Sequence, residues 1–190
     1  MYQTMILPIW GLIDQVYYHC NRLQFVDRLE DNIFRVRITR YRGYPLQLRD
    51  GTKIEKGDLL VKIHLHNYSL VKKMRHLKSD VRRALFVYEA VKQSLPGLAN
   101  YLKGHPLESQ VKGILGVTVL NRGVRRLGFD TFNLKHPLYS AWKKSYMVPL
   151  TAICHGDFNQ IFTGKYEPKY LVMGKETLFD LYSDKSMGEK

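Results

Sequence analysis

Lys53-Ile-Glu-Lys-Gly-Asp-Leu-Leu-Val-Lys-Ile-His-Leu-His-Asn67 is the stretch on which the reading of this chain turns. Lys56-Gly57 supplies a turn. Asp58 to His66 then reads as an uninterrupted strand, because its apolar residues fall on alternate positions. Leu59, Val61, Ile63 and Leu65 share one face; Leu60, Lys62, His64 and His66 share the other. Asn67 stands where a helix should begin, as its N-cap.

Upstream, Phe34, Val36 and Ile38 alternate with Arg35, Arg37 and Thr39, which makes 33–42 a strand with one buried face. Its arginine face could meet phosphates. The plainer expectation is a solvated face whose charge discourages edge pairing. Gly43-Tyr44-Pro45 breaks this strand. Leu46-Gln47-Leu48 and Thr52-Lys53-Ile54 flank Asp50-Gly51, a hairpin signal in which both residues would take the central places of a type I′ turn. With 58–66, these strands suggest an antiparallel meander.

Downstream, Leu70, Met74, Leu77, Val81, Leu85, Tyr88, Val91 and Leu95 recur at helical spacing and should cover the sheet. Ser79-Asp80 is placed to cap a second helix and divide the pattern. Lys72, Lys73, Arg75, Lys78, Arg82 and Arg83 give it a basic stripe. Pro96-Gly97 is expected to end it, with a short further helix over 98–102. Val111 to Leu120 reads as a buried strand, where Gly113 and Gly116 imply a bulge or a close backbone approach. A turn of helix over 121–129 should end on Gly128 at its C′ position. A helix over 137–147, strands over 150–155 and 170–173, and a helix over 175–182 complete the pattern, before a polar tail at 183–190.

The 190 residues suit one domain, and 45% hydrophobic content permits a sizeable core. Lys and Arg number 30 against 17 acids, a formal charge of +13. That excess favours an anionic partner such as nucleic acid, a phospholipid surface, an anionic polymer or a phosphorylated substrate, or serves solubility alone. Cys20 and Cys154 are too few for a disulfide framework, which suits a reduced, cytoplasmic setting. The apolar run 5–13 lacks the basic flank and cleavage site of a secretory signal. It ends at Asp14, short of the roughly 20 residues that span a bilayer. It is expected to pack on the core as a helix, or else to lie peripherally on a membrane.

His64 and His66 point the same way, about 7 Å apart. Two such histidines can ligate zinc, but no further ligand is adjacent, and a structural role is the stronger expectation. Cys154 and His155 face opposite sides of their strand and are poor catalytic partners. His155, before Gly156-Asp157 at a strand end, is the better site candidate. Arg122 lies near a helix start, where it could hold an anion or fix a carboxylate such as Asp58. There is no Walker loop, dinucleotide fingerprint, Gly-x-Ser-x-Gly elbow or Cys-x-x-Cys pair.

Three segments carry a family resemblance: Ile54-x-x-Gly57-Asp58-x-x-x-x-Ile63-His64-Leu65-x-Asn67; Gly116-Val-Thr-x-Leu120-x-Arg122-Gly-x-x-x-Leu127-Gly-Phe129; and Tyr170-Leu-Val-Met-Gly-Lys-Glu-Thr-Leu178. Together they resemble the YkoP-like family over nearly the whole chain. The matching positions include Gly57, Asp58, His64, Asn67, Arg122, Gly123, Gly128 and His155, whereas His66 falls at a variable one. Related domains resemble the C-terminal module of some bacterial polysaccharide deacetylases, which implies a Gram-positive, cell-envelope context. The chain has none of the deacetylase metal motifs, so that activity does not transfer.

The expectation is a single α+β domain over 1–190: an antiparallel-rich mixed sheet covered by a long central helix pair, with a helix at each end. No cofactor or metal is expected. Of three functions, the first is a module binding an envelope-related anionic ligand, polymer or membrane surface. The second is an enzyme using His64 and His155 as acid and base, with Asp58 orienting and Arg122 holding an anion. The third is nucleic-acid binding, which the charge permits and no motif supports.

Overall fold

The computed structural model describes residues 24–26, 32–74, 76–77, 79–118, 123–134 and 168–183. The apolar run 5–13, both cysteines, Arg75, Lys78, the helix expected over 137–147, the strand over 150–155 and the tail from 184 lie outside them.

The described strands are β1 (Gln24–Phe25), β2 (Phe34–Arg40), β3 (Leu46–Gln47), β4 (Lys53–Ile54), β5 (Leu59–Leu65), β6 (Val111–Thr118), β7 (Asp130–Asn133) and β8 (Lys169–Gly174). The helices are α1 (Asn67–Met74), α2 (Asp80–Lys103) and α3 (Lys175–Tyr182). One mixed sheet runs β1-β2-β5-β6-β8-β7 among the described residues. The class is α+β, in a single domain, as the alternating strands and the helical run imply.

The strand pairing corrects the expected meander. β5 returns antiparallel to β2, from Arg40 opposite Leu59 to Phe34 opposite Leu65. The β3–β4 hairpin forms its own two-stranded sheet. The physical reason is burial: Tyr41, Leu46, Leu48 and Ile54 all hide against Leu60, Leu115 and Val172 of the main sheet. A hairpin that lies on a face cannot also extend the ladder. The turn differs too. Gly51 donates to Leu48 O at 3.2 Å and Leu48 to Thr52 O at 2.9 Å, while Gly51 has φ +89°. This is a three-residue loop whose turn is followed by a left-handed glycine, not a two-residue type I′ turn.

β5 and β6 run parallel, with Val61 opposite Ile114. Parallel neighbours need a crossover, and α1 and α2 supply it. The first helical bond runs from Leu70 N–H to His66 O at 3.2 Å, which moves the N-cap from the expected Asn67 to His66. The helix divides at Ser79 as read. Pro96-Gly97 does not end it, however; α2 continues to Lys103. Pro96 forfeits one backbone bond, but Leu95, Leu98, Ala99 and Leu102 are fully buried around it. Gly97 has its own purpose. A Cβ there would stand 2.6 Å from Asn32 Nδ2, and Asn32 donates that amide to Ser94 O at 3.0 Å. The small residue lets α2 settle on the entry to β2.

On β6 the expected bulge is present. Leu59 faces Val111 and Leu60 faces Gly113, so Lys112 is the extra residue. A Cβ on Gly113 would come 2.4 Å from Met173 O, the close approach that its lack of a side chain permits. The helical turn at Val124–Leu127 ends on Gly128 in the left-handed region, as expected. β7 was not anticipated, because Asp and Asn are poor strand formers; it is held by pairing to β8.

Candidate functional site

Alternation gives every strand one side chain per face, and the register aligns them into rows. On the helix side, Phe34, Val36, Val61, Ile63, Ile114 and Met173 join one core. The opposite side is divided. Leu60, Leu115 and Val172 lie under the hairpin with Tyr170 and Phe132 at its margin. Beside them, on β2 and β5, the rows turn basic. Arg37 is directly opposite Lys62, and Arg35 is directly opposite His64.

Neighbouring strands lie about 4.8 Å apart, and alternate residues about 7 Å. Three permanent cations and a histidine therefore occupy a patch roughly 5 by 7 Å. Arg35 is only 6% exposed, and Arg37, Lys62 and His64 are half-buried. The solvated arginine face expected from sequence is corrected at Arg35, which is buried, and β2 lies between β1 and β5 rather than at the sheet's edge. The Arg37 Nε–H is buried and has no hydrogen-bond acceptor among the described residues.

The four sequence candidates divide. His64 belongs to this patch. Asp58 does not. Both are near β5, but six residues at about 3.3 Å each put them roughly 20 Å apart. The Asp58 carboxylate accepts the Glu55 N–H at 2.7 Å and pairs with Lys112 at 3.1 Å. It closes the turn at Gly57 and holds the β6 bulge. Arg122 and His155 lie outside the described residues. Among the described residues, no three of His, Cys, Asp and Glu gather as metal ligands.

The hairpin tip bounds the apolar part of this face; the sequence marked the hairpin but not the contacts of its tip. Arg49 donates its backbone N–H to Asp130 Oδ2 at 2.9 Å, and its guanidinium Nε–H to Asp130 Oδ1. Asp50 accepts the Thr52 N–H at 2.8 Å and the Thr177 hydroxyl at 2.5 Å. Thr177 lies in the first turn of α3, so Asp50 puts a carboxylate at the positive end of that helix. Desolvation pushes the Asp50 pKa up, but the hydrogen bonds from Thr177 and Thr52 outweigh it and hold the carboxyl below its ordinary range. Burial, then the Tyr170 and Tyr44 hydroxyls, push the Tyr41 hydroxyl far up, and it donates to Tyr44 O at 2.9 Å.

Arg37 and Lys62 could have been found by sequence. Each lies on the polar side of its strand, and an antiparallel pairing of 34–40 with 59–65 sets them opposite. The assumed meander hid that pairing.

The YkoP domain matches residues 3–182. The "Uncharacterized protein YkoP" of Bacillus subtilis (strain 168) is 38% identical over 185 residues, covering 96% of this chain and 99% of that protein. No solved structure matches.

Proposed function

This chain belongs to the YkoP domain family, and from that premise we propose that it is a binding module for a phosphate-bearing anionic ligand. The ligand rests on the basic part of the sheet's second face. The observation that carries this reading is the buried Arg37 Nε–H without a described acceptor, beside Lys62 in direct register and next to the Arg35–His64 pair. Arg37 and Lys62 stand directly opposite one another on this face, so one anion can lie within reach of both. Arg37 offers a planar fork suited to two oxygens of one phosphate, and Lys62 adds a compact charge.

A patch of this size suits one or two phosphates. It is too short for the regular phosphate ladder of a duplex, which places nucleic acid lower. The enzymatic alternative has less support, because Asp58 is engaged with Lys112 and the Glu55 N–H at the far end of β5. Phosphodiester polymers of the Gram-positive envelope carry the matching chemistry, and they make the protein an envelope accessory.

Calorimetric titration with pyrophosphate and with a glycerol-phosphate polymer tests the reading. The expected result is binding that weakens as salt rises. Arg37→Gln and Lys62→Gln should each lose roughly tenfold in affinity. A wild-type chain that binds neither probe at low ionic strength sinks the proposal.

A further inference from the structure

One group in the basic part of the sheet's second face differs in kind from its neighbours. Arginine and lysine side chains stay cationic across the neutral range, whereas an imidazole gains its charge around pH 6.5. Arg35, Arg37 and Lys62 therefore bring constant charges to the patch, and His64 brings a variable one. His64 stands directly opposite Arg35, in the row next to the Arg37–Lys62 pair. Strand geometry sets it about 5 Å from Arg35 and about 7 Å from Lys62 along the backbone. The residue is half-buried, so its charge is screened less than that of a group in open water.

The surroundings of His64 are fixed in charge on most sides. On β6, Leu115 lies opposite Lys62, and neither it nor Val117, two residues on, can ionise. Beyond them Tyr170 lies opposite Val117, with the Tyr41 ring at 6.3 Å from its own, and phenols ordinarily ionise near pH 10. Along β5, alternation puts Lys62 and His66 on the same side as His64. His66 lies past the last pair of the β2–β5 ladder, Phe34 opposite Leu65, where its backbone N–H donates to Ile33 O at 2.8 Å. His64 is thus the imidazole that the register sets among the arginines.

We propose that His64 makes anion binding at this face depend on pH: protonation of its imidazole adds a positive charge to the patch, and a phosphodiester is then held more tightly as the surroundings become acidic. The inference rests on the reading of the patch as an anion site and adds its regulation. Binding and protonation are reciprocal, so whatever protonation adds to affinity the bound phosphate adds to the stability of the imidazolium. A phosphodiester keeps its charge across this range. A phosphomonoester loses part of its second charge near pH 6, which works against the effect, so acid conditions favour diesters at this site.

The test is calorimetric titration of the full chain with a glycerol-phosphate polymer at two pH values and low ionic strength. Wild-type affinity should rise roughly tenfold from about pH 8 to about pH 5.5. His64→Gln should bind with the weaker affinity at both, and His64→Lys with the tighter affinity at both. His66→Gln should keep the wild-type dependence. Should the His64 variants fail to fold, a wild-type measurement still decides: the His64 imidazole C–H resonance should titrate at higher pH with polymer present than without it. Equal wild-type affinity at both pH values overturns the inference and leaves the anion site standing. So does a pH dependence that survives His64→Gln or disappears in His66→Gln, or a His64 titration that the polymer does not move. A wild-type chain that binds the polymer at neither pH overturns the site and its regulation together.

Discussion

On the helix side of the sheet, Phe34, Val36, Val61 and Ile63 lie beneath Leu95, Leu98 and Leu102, and the described rows are apolar from β2 to β8. On the other side the same strands carry Leu60, Leu115 and Val172 under the hairpin, then Arg35, Arg37, Lys62 and His64 next to it. One face is complete as an oily layer. The other is oily where a hairpin covers it and cationic beyond. Hydrophobic burial scales with area and needs no direction, so the first face is specified by pattern alone. The second depends on where a short hairpin docks, and beyond that hairpin its rows are cationic.

The largest break in this comparison should come on the helix side. Leu98→Ala removes a fully buried side chain from α2 and should cost about 3 kcal/mol in urea denaturation. A loss under about 1 kcal/mol would mean that the face is loosely packed. Next is the end of the second face near the hairpin. Gly113→Ala sets a Cβ against Met173 O, 2.4 Å away, and should cost about 2 kcal/mol by the same measurement. Because the clash is with backbone, β6 and β8 must separate to relieve it.

The hairpin tip should show a smaller effect with a pH signature. Asp50→Ala removes the acceptor for Thr177 and Thr52 and should cost about 1 kcal/mol at neutral pH. Asp50 is exposed, so salt screens the charged part of that loss. Its folded pKa is lowered. Its contribution is therefore complete above the ordinary carboxylate value of 3.8 and disappears as pH falls through the lowered folded value. Denaturation of wild type and variant over that acid range should show the two curves converging.

The smallest effect on stability sharpens the contrast most. Arg37→Gln removes one of two facing cations and deletes no hydrogen bond of Nε among the described residues, so without ligand it should change stability by less than about 0.5 kcal/mol. On the proposed reading, the same substitution should lower the affinity for a phosphate-bearing ligand roughly tenfold. Destabilisation as large as that of Leu98→Ala would show that Arg37 holds the fold rather than a guest.

The elements were largely legible because their signals are local. Alternation identified β2 and β5, Ser79 marked the break between helices, and Gly128 ended the turn at Val124–Leu127. Misreadings occurred where packing outweighed a local rule. Pro96 stays inside α2 because Leu95, Leu98, Ala99 and Leu102 bury around it. β7, with its aspartate and asparagine, exists because β8 pairs with it. The candidate site was half legible. His64 was singled out by its strand, but its neighbours were not, because pairing partners are set by contacts far apart in sequence. The distance of Asp58 from His64 was legible, because six residues of extended chain separate them by roughly 20 Å; its pairing with Lys112 was not, because that contact spans two strands.

Sequence alone determined the α+β class, the basic character, the turn at Gly57 and the alternation that sends Arg35, Arg37, Lys62 and His64 away from the core. Each follows from periodicity, charge or the conformational freedom of one residue. Only the tertiary structure decided that β5 returns to β2 rather than to β4, that the hairpin covers one part of the second face, and that four basic side chains thereby become direct neighbours. Those outcomes depend on which apolar surfaces fit together across the chain, and no local pattern encodes that fit.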